Sequence, residues 1–315
     1  MKRKTKTVIS IIFYILILCA GIIVIPRFFK GTPAKEEVYE IVYDNINLTA
    51  PVYTSSPGTD VETNKYVAID FSNTSQGYIS IMYNGDSTEN AIAKIIHGET
   101  EFIYTLSGDK DVFPLNRGDG TYTVKVYQRL NSGQYKSVLT KKLSVNLENQ
   151  LLPYLHPSQI VNYKADSLAV VYAERTCVEI NSDLEKLQVL YAYVVENITY
   201  DHIKATNVES GYLSSVDSTY ISKTGICYDY SVLLASMLRS QCIPTKLVMG
   251  YLNGTTIFHA WNEIYLADSG WVTVNIFLDK NVFKMLDTTL SVSQGDEEIS
   301  KKLGDPEVYM PTHRY

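Results

Sequence analysis

The residues best placed to do chemistry are a glycine-hinged cysteine and the next histidine along the chain. Cys227 sits in Thr224-Gly225-Ile226-Cys227-Tyr228-Asp229-Tyr230, ahead of the apolar run Ser231 to Leu238. His259 follows in Phe258-His259-Ala260-Trp261-Asn262-Glu263. A cysteine in the first turn of a helix lies beside unpaired backbone N–H groups and the positive end of the helix dipole, and both favour thiolate. Gly225 permits a tight backbone approach that leaves room for a substrate carbonyl. The Cys227 N–H is placed to donate to an oxyanion. A thiolate also needs a base, and later an acid for the leaving amine, and a histidine on a neighbouring strand serves as both. A buried cysteine or a strand histidine alone is ordinarily a packing residue. Together, in this order, they point to nucleophilic catalysis.

The elements that must position this pair can be read from periodicity. Ser182-Asp183-Leu184-Glu185 is a capping box, and Leu184, Leu187, Tyr191 and Val194-Val195 follow at helical spacing. The pattern predicts an amphipathic helix over Asp183 to Glu196. A second helix is expected from Cys227 to Ser240, stopped by Pro244. Strands are expected over Lys246 to Tyr251 and Thr256 to Leu266 around an Asn253-Gly254 turn, a strong hairpin signal. Two more follow, over Trp271 to Leu278 and Val282 to Leu286. Helices first and an antiparallel sheet afterwards make 148–315 an α+β domain.

The preceding stretch has a different texture. Between 39 and 147 the chain shows short alternating runs, clearest at Tyr66 to Phe71, Gly77 to Tyr83, Glu101 to Leu106 and Tyr122 to Tyr127. Turns at Asn84-Gly85-Asp86, Ser107-Gly108-Asp109 and Gly118-Asp119-Gly120 separate them. A hairpin is read across Asn131-Ser132-Gly133. The reading is an all-β sandwich domain without a catalytic constellation, acting as a spacer, with ligand binding as the other reading. Residues 31–38 are a polar linker.

At the N-terminus, Lys2, Arg3, Lys4 and Lys6 precede Val8 to Ile25, in which Ser10 and Tyr14 are the polar interruptions. That length approaches a bilayer span, no A-x-A-like cleavage site follows, and the basic flank orients the remainder outside the cell. Residues 1–30 are therefore expected to be a signal anchor or transmembrane helix, making the chain a single-pass cell-membrane protein with its C-terminal part extracellular. The other reading is a cleaved signal peptide and a secreted product. The chain of 315 residues carries 45% hydrophobic and 20% charged residues and a net charge of −6, so neither disorder nor a general nucleic-acid binder is expected. Four cysteines are too few for a disulfide scaffold, and the redox state of Cys177 and Cys242 is left open. No metal or other cofactor is expected, since His259 and Glu263 share a strand face rather than a helix face.

Asp217-Ser218-Thr219, Lys223 to Tyr230, Met237-Leu238-Arg239-Ser240, Ile243-Pro244, Val248 to Tyr251 and His259 to Glu263 together resemble the transglutaminase-like superfamily, and more narrowly its exported bacterial branch. The resemblance spans roughly Ser182 to Leu290. It implies a papain-like arrangement, with a cysteine-bearing helix packed on a sheet that carries the histidine and an acid. It also implies thiol acyl chemistry on amide bonds of a protein or peptide, with cell-wall material suggested by location. The family's acid lies in a block resembling W-x-x-x-D-P-T, for which two positions compete. Asp287, in Phe283-Lys284-Met285-Leu286-Asp287-Thr288-Thr289, is preferred because a carboxylate stabilises imidazolium better than an amide does. Asn275, in Trp271-Val272-Thr273-Val274-Asn275, is the alternative. The expected catalytic set is thus Cys227, His259 and Asp287. Cys242 stands where the family usually has a helix-capping glycine, and Tyr200 and Tyr212 are candidates for a second oxyanion donor. A non-catalytic surface module that keeps the fold is the competing function.

Overall fold

The computed structural model describes residues 50–85, 91–252, 258–274 and 309–315. The first of these form β1 (Val61–Thr63), β2 (Val67–Asp70), β3 (Tyr78–Tyr83), β4 (Ala91–His97), β5 (Thr100–Thr105), β6 (Lys110–Pro114), β7 (Gly120–Arg129) and β8 (Tyr135–Val145). They make two four-stranded sheets, ordered β1-β2-β3-β6 and β5-β4-β7-β8, with antiparallel neighbours throughout. Alternation sets which face turns inward. On β7, Tyr122, Val124 and Val126 are buried while Thr123, Lys125 and Tyr127 keep surface. Ile79, Ile81 and Phe113 from one sheet share a core with Ala93, Ile95 and Val124 from the other.

The helical part comprises α1 (Leu168–Cys177), α2 (Asp183–Asn197), α3 (His202–Asn207), α4 (Val216–Ser222) and α5 (Cys227–Arg239). The Ser182 hydroxyl accepts from the Glu185 N–H at 3.4 Å, capping α2 where the sequence placed its start. After Cys227, every side chain of α5 is buried, because the helix packs against α1, α2 and α4 as well as the following sheet. A parallel bridge between β9 (Thr199–Tyr200) and β10 (Thr224–Gly225) sets Tyr200 opposite Gly225.

The last sheet is ordered β13-β12-β11-β14, from β11 (Thr245–Leu252), β12 (Phe258–Leu266), β13 (Gly270–Val274) and β14 (Tyr309–Arg314), all antiparallel. β14 was not expected. It carries Pro311, which a strand tolerates at a sheet edge, and its register shifts between Met249 and Gly250. A Cβ on Gly250 would lie 2.2 Å from the Met310 carbonyl oxygen, so the close approach of β14 requires glycine there. Order along the chain, helices and then antiparallel sheet, agrees with the α+β reading of this half.

The β-rich half shares buried contacts with the rest. Phe102 and Tyr104 of β5 pack on Tyr315, with ring centroids 5.7 and 6.1 Å apart. Asn116 donates to the Arg314 carbonyl at 2.9 Å. The described residues fall within one compact unit. Among them no helix is long and apolar enough to cross a membrane. The expected anchor at 1–30, the linker at 31–38, Asn275 and Asp287 all lie outside the described residues.

Candidate active site

Local sequence explains how Cys227 is presented. Ile226 is extended at φ −99° and ψ 176°, and the chain enters α5 at Cys227. Asp229, on the first turn, reaches back so that its Oδ2 accepts from the Ile226 N–H at 2.8 Å. Gly225 is needed beside it, since a Cβ there would sit 2.6 Å from the Asp229 Cβ. One turn on, the Ser231 hydroxyl donates to the Cys227 carbonyl at 2.9 Å.

The sheet is pinned to the helix at the next step. Asn262 of β12 is buried, and its Nδ2 donates to the Ser231 carbonyl at 3.1 Å and to the Lys246 carbonyl at 3.2 Å. Asn262 lies three residues after His259, so this bond brings the histidine strand to the first turns of α5. The Cys227 sulfur lies against the backbone N–H of Ala260, the residue next to His259. The strand segment that carries His259 therefore lies beside Cys227. His259, Trp261 and Glu263 alternate on β12, with the first two rings 6.4 Å apart and nearly parallel. Glu263 is engaged structurally, by Lys246 at 3.1 Å and Arg314 at 3.0 Å.

The electrostatics differ from the simple helix-dipole expectation. Burial pushes the Cys227 thiol up, and the N–H groups of Ala260, Tyr228 and Cys227 itself pull the other way. The Asp229 charge adds to the upward push, and the net direction is up. Backbone donors thus surround the sulfur as anticipated, but desolvation outweighs them and the resting group is a thiol. The residue as a whole is nonetheless only half-buried.

Sequence position alone did not separate Tyr200 from Tyr212. Tyr200 stands beside Gly225 in the β9–β10 bridge, and burial, then the charges of Cys227 and Asp229, hold its hydroxyl above its ordinary value. It stays protonated and able to donate. Tyr212 is committed elsewhere: its hydroxyl donates to Asp229 Oδ1 at 2.7 Å and accepts from Lys204 Nζ at 2.6 Å. Lys204 also donates to Asp229 Oδ2 at 2.6 Å. Lys204 and Tyr212 line a surface cleft of about 480 Å³ with Asn207, Val208, Glu209, Ser210 and Gly211. The Asn262 pin and the Lys204–Tyr212–Asp229 cluster escaped the sequence reading. Asn262 stood inside the histidine block and Asp229 inside the cysteine block, neither with a long-range partner legible from its neighbours. Among the described residues no cluster of metal-ligating side chains occurs.

Comparison with known proteins places this geometry. Residues 171–276 match the model of the transglutaminase-like superfamily. The uncharacterized protein YebA of Bacillus subtilis (strain 168) is 25% identical over 228 residues, 62% of this chain; the chain spans only 29% of that protein. Among solved structures, a proposed cysteine protease from Cytophaga hutchinsonii aligns with 72% of this chain and 77% of its own, at 15% identity and a TM-score of 0.38. The periplasmic domain of TgpA from Pseudomonas aeruginosa aligns with 69% of this chain and 73% of its own, at 14% identity and a TM-score of 0.33. Cys227, His259 and the elements that carry them lie inside the matched stretch, and residues 171–276 are a domain of the transglutaminase-like superfamily.

Proposed function

We propose that this protein is a membrane-anchored, extracytoplasmic cysteine enzyme that hydrolyses or transfers the acyl group of protein or peptide amides. The observation that carries the reading is the contact of the Cys227 sulfur with the Ala260 N–H, beside His259, at the first turn of α5. Because burial keeps the resting thiol protonated, the reaction needs a base at the moment of attack. His259 takes the Cys227 proton as the sulfur bonds to the substrate carbonyl carbon. The oxyanion that forms is within the reach of backbone donors at the helix start, with the Tyr200 hydroxyl as a further donor. Collapse breaks the C–N bond, and His259 returns the proton to the leaving amine. Water or an acceptor amine then attacks the thioester, giving up its proton to His259, which restores the thiol. Hydrolysis and cross-linking differ only in that second nucleophile.

Asp287 is proposed to orient His259, with Asn275 as the alternative. The alternative rests on the family match, which ends at residue 276 and so includes Asn275 but not Asp287; Asp287 rests on the better stabilisation of imidazolium by a carboxylate. Single substitutions separate them. Asp287→Ala is expected to lower acyl-enzyme formation by about 100-fold or more while Asn275→Ala leaves it near wild type; the reverse outcome assigns the role to Asn275. Cys227→Ala on the native cell surface should trap the substrate for identification by mass spectrometry. A second reading, a non-catalytic binding module, draws on the raised thiol and on asparagine in the family's acid block. It predicts no acyl-enzyme with any peptide library while the trap still captures a ligand. The anchor is proposed from Val8 to Ile25, and membrane fractionation of the full chain against a version lacking residues 1–30 tests it.

A further inference from the structure

Asp229 is fully buried, yet it carries a carboxylate within one turn of the nucleophile. Its Oδ2 accepts from the Ile226 N–H at 2.8 Å and from Lys204 Nζ at 2.6 Å, and its Oδ1 accepts from the Tyr212 hydroxyl at 2.7 Å. A charge so placed is costly unless paired and hydrogen-bonded. Here the pairing comes from α3 and from the loop before α4, which also sets the Tyr212 ring edge-on against Tyr228, with centroids 6.0 Å apart, on the nucleophile's own turn. The Lys204 side chain keeps some surface while the Asp229 side chain has none. Lys204 Nζ also lies 4.3 Å from the centre of the Tyr212 ring, so the two cleft residues hold each other as well as the carboxylate.

We infer that Lys204 and Tyr212 form with Asp229 a positioning relay for Cys227: the cleft side chains hold and neutralise the carboxylate, and the carboxylate fixes the Gly225-Ile226-Cys227 turn. The inference rests on Cys227 being the nucleophile. It adds that the thiol's reactivity is regulated from the cleft, through Lys204, rather than set within the turn alone. Among the described residues, the charged or titratable groups that face the sulfur or neighbour it are Tyr200 from β9, Asp229 from α5 and His259 on β12 beside Ala260. Of these, Asp229 carries a negative charge that opposes the thiolate, and Lys204 is the cation bonded to it. Removing the lysine charge therefore leaves the thiolate facing an uncompensated carboxylate. Removing the carboxylate charge relieves the thiolate but loosens the turn.

The two effects have opposite signs on thiol titration, and a merely structural role would give neither. Alkylation of Cys227 by iodoacetamide, followed across pH by mass spectrometry of its own peptide, is the readout. Lys204→Met is expected to raise the midpoint by about 0.5 to 1 pH unit, and Lys204→Arg to bring it back. Asp229→Asn is expected to lower the midpoint by a similar amount. If Asp229→Asn does not fold, the lysine pair decides. A midpoint for Lys204→Met equal to or below that of wild type overturns the relay, as does a folded Asp229→Asn with an unchanged midpoint. The assay needs no acyl substrate. Absence of any acyl-enzyme would therefore overturn the catalytic reading without touching these midpoints.

Discussion

Cys242 occupies a conformation that its side chain resists. It follows α5 with φ +64°, in the left-handed region, and its N–H donates to the Arg239 carbonyl at 3.0 Å while the Ile243 N–H reaches back to Leu238 at 3.0 Å. That is the helix stop for which glycine is the usual residue, and the sequence had marked Cys242 as standing in a glycine position. An L-residue there carries a steric penalty from its Cβ. Cys242→Gly is expected to stabilise the fold by about 0.5 to 1 kcal/mol, the relieved strain being partly offset by the freer unfolded chain. Chemical denaturation at neutral pH measures it, and a loss of stability would show that the half-buried thiol contributes packing that outweighs the strain. Both Cys177 and Cys242 are free thiols, so the substitution breaks no disulfide.

At the scale of elements, the site depends on how α5 is fastened to β12. Asn262 is the fastening, and removing it takes the two bonds from its buried amide to the Ser231 and Lys246 carbonyls out of the core. Asn262→Ala is expected to cost about 2 kcal/mol. Asn262→Asp should cost more, because a carboxylate would face two acceptors with no proton to give. Denaturant midpoints of the two variants test the order, and an aspartate variant as stable as the alanine one would sink the argument. The elements themselves were largely legible. Glycine-cysteine before an apolar run marked α5, a serine cap marked α2, and alternation marked β7 and β8. Less visible were short helices such as α3 and α4, whose few residues show little helical periodicity. β14 was missed because Pro311 masks a strand signal and its partner β11 is remote in sequence. Legibility stopped at contacts made across elements. Nothing local to Asn262 or Lys204 distinguishes a long-range donor from a solvated surface group.

Across the whole molecule, the β-rich half and the half that contains the matched residues 171–276 are held together by buried polar groups as well as by apolar packing. Arg239, at the end of α5, is fully buried and donates to three carbonyls: Thr245 at 2.9 Å, His156 at 2.7 Å and Tyr315 at 3.1 Å. His156 lies in the segment that joins the halves, its ring 4.6 Å from that of Tyr78 on β3. Burial, and after it the Arg239 charge, lower the His156 pKa from 6.5 to about 4. The folded protein therefore keeps this ring neutral, whereas the unfolded chain binds a proton near pH 6.5. Its stabilising contribution is complete above that value and is lost as pH falls toward about 4. The full difference corresponds to about 3 kcal/mol at roughly 1.4 kcal/mol per unit. Unfolding free energies measured by denaturant at several pH values between 7 and 4 should show this loss. His156→Gln, which cannot titrate, should flatten the slope over that window whatever its effect on stability at pH 7. If wild type and His156→Gln lose stability in parallel as pH falls, the histidine between the two halves is not the group that makes their union acid-sensitive.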